Sequence, residues 1–191
     1  MPEPEALAMF ELDALAIGWA CVDAATKRAR VRIDGAGPIE PGRFLLLITG
    51  DLAEVDEGAA AVIDRAGDAL GDRCLVPAVA AALWPALRGG RVMAADAECV
   101  GIVEGISPPG VVYAADRAVK DAAVALVGIR FTAGLGGKAV FAVTGAQSDV
   151  EAALDASRLA LGGRLVRAEL LPRPTPELRD AVLAPGAFAV R

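Results

Sequence analysis

The sequence contains no histidine among its 191 residues. This absence excludes Ser-His-Asp and Cys-His catalytic arrangements, and it excludes metal sites that are held by imidazole. Carboxylate and lysine chemistry remain open, but the commonest general base is missing. We therefore expect a protein that is not an enzyme and that has no catalytic or metal-binding residues.

Aromatic residues, cysteines and positive charge are also scarce. Five Phe, two Trp and one Tyr offer little base stacking, and a net charge of −6 argues against phosphate binding, so a nucleic-acid partner is not expected. Cys21, Cys74 and Cys99 are widely separated and odd in number, which favours buried, reduced thiols. No run approaches the ~20 apolar residues of a membrane span, and the N-terminal residues lack the basic region of a signal peptide. These features predict a cytoplasmic protein.

A short charged pattern occurs twice in the chain. Three residue pairs are separated by the same step of 93 residues: Glu11 and Glu104, Asp23 and Asp116, and Lys27 and Lys120. A constant step close to half of the chain length indicates a duplicated domain. We predict a first domain over residues 1–90 and a second over residues 91–191, joined through Arg88-Gly-Gly-Arg91.

Apolar periodicity predicts the same element order in each half: strand, helix, strand, strand, helix, strand, helix. A Gly/Pro-rich loop is predicted at Asp34–Gly42, with Pro41 and Gly42 at the centre of a type II turn. Thr144-Gly145 repeats Thr49-Gly50 at a step of 95, so the second loop is two residues longer. The predicted fold class is α/β, an α+β sandwich in which each half has an antiparallel-rich sheet with helices on one face.

Several of these segments closely resemble a bacterial microcompartment (BMC) shell domain. In the second half the resemblance rests on Gly101-Ile-Val-Glu104, Ala115–Lys120 and Val124–Gly128. In the first half it is looser and rests on Phe10-Glu-Leu12, Asp23–Lys27 and Thr49–Val55. The resemblance covers nearly the whole chain and implies two tandem BMC domains of non-permuted order. Pro41-Gly42 before a Leu-rich strand and Gly134–Lys138 are most similar to the tandem shell proteins of propanediol-utilisation compartments.

The resemblance implies a structural shell protein whose trimers form pseudohexameric tiles with a narrow axial pore. The implied pore-lining residues come from both loops: Gly37, Pro38, Ile39, Glu40, Thr132, Ala133, Gly134, Leu135 and Gly136. Glu40 stands where the propanediol relative has a cysteine that holds an iron–sulfur cluster. Since such clusters are held chiefly by thiolates, no cofactor is expected here. Three Glu40 carboxylates would repel one another or recruit a cation; alternatively, Glu40 points to solvent or pairs with Arg43.

Lys27, Lys120 and Arg173 resemble the family's residues for tile-edge contacts, and the alternative for each is a solvated surface charge. Glu11 and Glu104 lie in apolar strands and are predicted to make structural hydrogen bonds rather than a catalytic pair. Gly134–Lys138 does not fit a phosphate loop, because Ala139 replaces the Ser or Thr that binds magnesium.

The partners that the resemblance implies are a homotrimer, other hexameric and pentameric shell proteins, and small metabolites in the pore. The implied location is the shell of a microcompartment in the bacterial cytoplasm. Two alternatives stay open. One is a tile that binds a metal or cofactor at its pore, or that carries electrons. The other is a duplicated α/β ligand-binding domain that does not form sheets.

Overall fold

The computed structural model describes residues 3–131 and 135–184. The chain divides into two compact units between Val79 and Ala80. Each unit contains a four-stranded sheet in which all neighbouring strands are antiparallel. Two copies of one fold therefore follow each other along the chain.

The first unit begins with a strand and ends with the fourth strand of its sheet. Its elements are β1 (Ala6–Leu12), α1 (Leu15–Arg28), β2 (Arg32–Ile39), β3 (Arg43–Gly50), α2 (Leu52–Ala66) and β4 (Leu70–Val76). The strand order in the sheet is β2-β3-β1-β4. The first strand thus lies at the centre of the sheet, between β3 and β4.

The second unit repeats this order after a short additional helix. Its elements are α3 (Leu83–Leu87), β5 (Cys99–Gly105), α4 (Pro108–Asp121), β6 (Ala125–Phe131), β7 (Ala139–Gly145), α5 (Gln147–Leu161), β8 (Leu165–Pro172) and α6 (Pro176–Leu183). The strand order is β6-β7-β5-β8, which matches the first unit position by position. Among the described residues, no helix is long and apolar enough to span a membrane.

The predicted boundary between residues 90 and 91 lies inside the second unit. Helix α3 packs against β6, and the Val92 N–H donates a 3.0 Å hydrogen bond to the Val127 carbonyl. Gly128 lies close to the Arg91 side chain and to the Gly90 carbonyl. The Gly-rich composition of residues 88–91 indicated a linker, but these residues are held against the second sheet.

Strand β2 occupies most of the segment that was predicted as a loop. It pairs with β3 as far as Ile39, so only residues 40–42 form the turn, and the loop prediction was wrong for residues 34–39. Because β2 is an edge strand, Pro38 can be accommodated without the loss of a ladder hydrogen bond. The register shift between Ile33 and Gly35 is a bulge, a feature that often holds glycine in strands.

The two long helices of each unit pack against one face of its sheet, and the predicted fold class is confirmed. In the first unit this core includes Phe10, Phe44, Leu46, Val55 and Val62, all almost fully buried. Helix α6 is different, because Val182 and Leu183 pack on Val100 and Ala142. Val100 and Gly101 point to opposite faces of β5, and Gly101 faces α5, so α6 covers the other face of the second sheet.

The two units fill the equivalent contact between the first helix and the third strand with residues of different size. Gly18 in α1 lies directly over the Phe44 ring, and a Cβ at Gly18 would be 2.1 Å from the nearest ring atom. The equivalent positions of the second unit hold Val111 and Ala139, both buried. The first unit therefore has a small residue on the helix and a large one on the strand, and the second unit has the reverse.

Candidate functional site

The hairpin between β2 and β3 carries the pore-lining residues predicted in the first unit. The Gly42 N–H donates to the Ile39 carbonyl at 3.0 Å, so Glu40 and Pro41 form the centre of the turn, joined by a cis peptide bond. The predicted type II turn with Pro41 and Gly42 at its centre was wrong, although Gly42 does adopt a positive φ of 85°. Glu40 is at the exposed tip.

The other predicted residues of this hairpin lie in β2. Gly37 is half-buried, Pro38 is exposed, and Ile39 is buried with 8 % of its surface accessible. Of these residues, Pro38 and Glu40 present exposed side chains to a partner or a solute. Sequence reasoning did not distinguish them, because it assigned all of them to one loop.

The hairpin of the second unit is described only in part. Thr132, Ala133 and Gly134 lie outside the described residues. Leu135 and Gly136 belong to a turn in which the Lys138 N–H donates to the Leu135 carbonyl at 3.1 Å. Strand β7 begins at Ala139, where a phosphate loop would have a helix, so the interpretation as a hairpin is confirmed.

Each hairpin has an ion pair at its base. In the first unit the Arg43 guanidinium donates a hydrogen bond to Glu11 and has Nε 3.3 Å from Asp13 Oδ1. In the second unit Lys138 Nζ is 2.8 Å from Glu104 Oε1. Glu11 and Glu104 differ by 93 residues and Arg43 and Lys138 by 95, so the pair is duplicated with the domain. The predicted structural hydrogen bonds of the two glutamates are these ion pairs.

The two pairs differ sharply in burial. The Glu11 side chain is 1 % exposed, whereas that of Glu104 is 35 % exposed. Burial raises the pKa of Glu11, and the hydrogen bond and charge of Arg43 oppose this rise only in part. The same hydrogen bond raises the pKa of Arg43, which stays charged. Glu11 Oε2 is buried without a hydrogen-bond partner among the described residues, so the charge of Glu11 depends on Arg43.

The repeated Asp-x-x-x-Lys pattern forms an ion pair within a helix in both units. Lys27 Nζ is 2.7 Å from Asp23 Oδ2 at the end of α1, and both side chains are mostly exposed. In α4 Lys120 donates to Asp116, whose side chain is only 2 % exposed. Asp116 Oδ1 also accepts a 2.8 Å hydrogen bond from the Ala80 N–H. The local pair is the same, but its surroundings differ.

Arg173, the third residue predicted to contact a neighbouring tile, lies directly after β8. Arg173 is exposed, and its backbone has a φ of 49°, which is uncommon for a residue other than glycine. The Arg173 N–H donates to the Glu98 carbonyl at 2.7 Å. This hydrogen bond fixes the backbone at the point where the chain leaves the sheet.

The described residues contain no group of three or more His, Cys, Asp or Glu that could hold a metal ion. Cys21, Cys74 and Cys99 form no disulfide, and all three are buried, as predicted. Burial raises the pKa of the Cys21 thiol and of the Cys99 thiol, which disfavours the reactive thiolate form of both.

The chain thus contains one domain twice, duplicated with its hairpin, its hairpin-base ion pair and its helix-end Asp–Lys pair. The chain belongs to the BMC domain family, whose sequence profile matches residues 6–81 and again residues 99–174. The resemblance predicted from the motifs is thereby confirmed, including the presence of two domains in tandem.

Individual relatives agree with this assignment. The chain is 37% identical over 173 residues to the bacterial microcompartment shell protein PduT of Citrobacter freundii, a match that covers 89% of this chain and 93% of that protein. The crystal structure of a microcompartment protein from Desulfitobacterium hafniense superimposes with a TM-score of 0.80 at 30% identity, over 92% of this chain and 98% of that one.

A more distant structure shares the fold. The fused permuted hexameric shell protein MSM0275 from the RMM microcompartment has a TM-score of 0.63 at 23% identity, covering 83% of this chain and 82% of that one. In the present chain each unit begins with the central strand of its sheet, β1 or β5, which is the predicted non-permuted order.

Proposed function

We propose that three copies of this chain form a pseudohexameric tile in the facets of a microcompartment shell, with a narrow axial passage for small metabolites. The observation that carries the proposal is the duplication, because both units repeat the same strand order, hairpin and ion pairs. Three chains of two domains supply six similar wedges, which is what a closed cyclic ring requires. The tile has a structural and not a catalytic role, and it acts in the bacterial cytoplasm with hexameric and pentameric shell proteins as partners.

The passage is proposed to lie where the two kinds of hairpin meet at the threefold axis. Its residues are those predicted from the sequence: Gly37, Pro38, Ile39, Glu40, Thr132, Ala133, Gly134, Leu135 and Gly136. Glu40 is the one ionisable side chain in this set, and it is exposed at its turn. Three carboxylates at roughly 8 Å would repel by about 0.5–2 kcal/mol per pair at effective dielectrics of 80 to 20. Such a ring favours the passage or binding of a cation.

Replacing Glu40 by glutamine is expected to abolish cation binding on the axis while the trimer persists, because glutamine removes the charge at constant shape. Crystals of the wild type soaked in manganese should show an anomalous peak on the threefold axis, and Glu40→Gln crystals should show none. Glu151→Gln, an exposed change on α5, is the matched control and should keep the peak. Equal axial peaks in wild type and Glu40→Gln would contradict the ring.

The tile edges are proposed to carry Lys27, Lys120 and Arg173. The Lys27 side chain is 74% exposed and that of Lys120 is 32% exposed, so both side chains reach the surface although each pairs with its helix aspartate. Arg173 is exposed at a fixed point of the backbone. Edge contacts between tiles would use these long cationic side chains as hydrogen-bond donors.

The double variant Lys27→Gln/Lys120→Gln is expected to form trimers that do not assemble into sheets. Negative-stain electron microscopy of the concentrated wild type should show hexagonally spaced sheets or tubes, which the double variant lacks. Lys138→Gln changes the third lysine of the chain, at a hairpin base, and should retain the sheets. A wild type that stays dispersed at every concentration, alone and with partner shell proteins, would favour a duplicated ligand-binding domain.

A further inference from the structure

Helix α4 has a stripe that the folded chain covers. Pro108, Val112 and Asp116 are spaced four residues apart and so lie on one side of the helix. All three are buried, Val112 completely and Asp116 with 1 % of its surface accessible. At the end of this stripe, Asp116 Oδ1 accepts its 2.8 Å hydrogen bond from the N–H of Ala80, the fourth residue after β4.

The same stripe on α1 is open. Leu15, Trp19 and Asp23 precede Pro108, Val112 and Asp116 by 93 residues, and their exposures are 41%, 56% and, for the Asp23 side chain, 62%. These are two of the few large apolar side chains that the first unit exposes. A large apolar residue beside a carboxylate, exposed in one repeat and buried in the other, marks a surface that is completed by another molecule.

Trp19 is held in place on this surface. Its ring meets the buried Phe44 ring edge to face, with centroids 4.9 Å apart and planes at 73°. Because the tryptophan is already ordered by this contact, a partner that covers it loses little side-chain entropy. Tryptophan is also the residue type most enriched among the side chains that dominate binding energy.

We infer that the stripe Leu15–Trp19–Asp23 binds a second copy of this chain, through the segment that follows that copy's β8. This inference rests on the proposed trimer and names the contact that closes it. The residue equivalent to Ala80 is Thr175, at the step of 95 that also separates Val76 from Leu171 in the paired strands. In a ring of alternating repeats, α4 receives the segment after β4 and α1 receives the segment after β8 of the neighbouring chain.

The segment has the chemistry that this contact needs. Pro174 and Pro176 have no N–H, so Thr175 supplies the backbone donor between them, and Thr175 is exposed. The Asp23 carboxylate would accept this N–H as Asp116 accepts that of Ala80, in a charge-assisted hydrogen bond. Asp116 accepts hydrogen bonds from the Ala80 N–H and from Lys120 at the same time. Asp23 can therefore accept a second hydrogen bond while it is paired with Lys27.

The test is the association state of full-length variants by light scattering over a dilution series. Trp19→Ser and Asp23→Ala should each raise the concentration at which trimers dissociate, by roughly 30-fold or more for the tryptophan, as for a central interface residue. Leu159→Ser removes another exposed apolar residue, 86% accessible on α5, and should leave the trimer unchanged. Circular dichroism checks that each variant is folded.

A cross-link tests the predicted neighbour directly. Asp23→Cys/Thr175→Cys treated with a short bis-maleimide should give covalent dimers and trimers on a denaturing gel, while each single variant stays monomeric there. If the wild type and Trp19→Ser form equally stable trimers and the double variant does not cross-link, the proposed contact is overturned. The proposed tile would still stand. A wild type that is monomeric at all concentrations would overturn both.

Discussion

Replacing Arg43 by methionine is expected to lower the free energy of unfolding by about 3–5 kcal/mol, because it leaves a buried carboxylate without its partner. The Glu11 side chain is 1 % exposed, its Oε2 has no hydrogen-bond partner in the described part of the chain, and burial already raises its pKa. In the variant, Glu11 must either take up a proton or remain charged in an apolar strand. Both outcomes raise the free energy of the folded state and leave that of the unfolded chain unchanged, so the variant is less stable.

The second repeat supplies the control for this experiment. Lys138→Met removes the equivalent cation from Glu104, whose side chain is 35 % exposed, and should cost about 1 kcal/mol or less because water replaces the lost partner. Glu11→Met/Arg43→Met should recover most of the stability, since an apolar pair fills the site without a charge. Urea denaturation at one fixed protein concentration measures all three variants. Equal losses for Arg43→Met and Lys138→Met would refute the role of burial.

Gly18→Val is expected to destabilise the first unit severely, and Phe44→Ala is expected to restore part of that loss. Alone, Gly18→Val forces side-chain atoms into the Phe44 ring, a conflict that typically costs 1–3 kcal/mol or more. Alone, Phe44→Ala leaves a cavity and costs about 3–5 kcal/mol. The double variant reproduces the Val111 and Ala139 arrangement of the second unit, in which the helix residue is the large one.

A double-mutant cycle measures this compensation. We expect the double variant to lose about 2 kcal/mol less stability than the sum of the two single losses, which is within the range found for residues in direct contact. Gly18→Val combined with Phe141→Ala, a buried ring outside the first unit, is the control and should show additive losses. Additive losses for Gly18→Val/Phe44→Ala as well would contradict the idea that the sizes of these two residues compensate for each other.

Sequence patterns predicted the duplication and the element order, because these follow from a constant repeat step and from apolar periodicity along the chain. The partner of Glu11 was not predicted, because Arg43 is 32 residues away and the pairing of β1 with β3 brings them together. The sequence did contain a signal for this pair. Arg43 and Lys138 are both cationic and are separated by 95 residues, the same step that separates Thr49 in β3 from Thr144 in β7.

Other features were beyond local reasoning for physical reasons. Asp23 and Asp116 belong to the same motif, and only the folded chain distinguishes the exposed one from the buried one. The composition of β2 indicates a loop, but an edge strand tolerates proline and glycine. The unit boundary at Val79 depends on the packing of α3 against β6, which the Gly-rich segment at residues 88–91 does not reveal.

In the sequence, the second hairpin has no acidic residue in place of Glu40, and this limits how strongly charge can accumulate at the axis. In the proposed trimer a substitution in the turn that carries Glu40 appears three times, whereas in a ring of six identical chains it would appear six times. Three charges form about a fifth as many like-charge pairs as six, so the repulsion falls far more than twofold. A fused chain can therefore acquire an ionisable group at its axis in one mutational step that an unfused hexamer would find hard to tolerate.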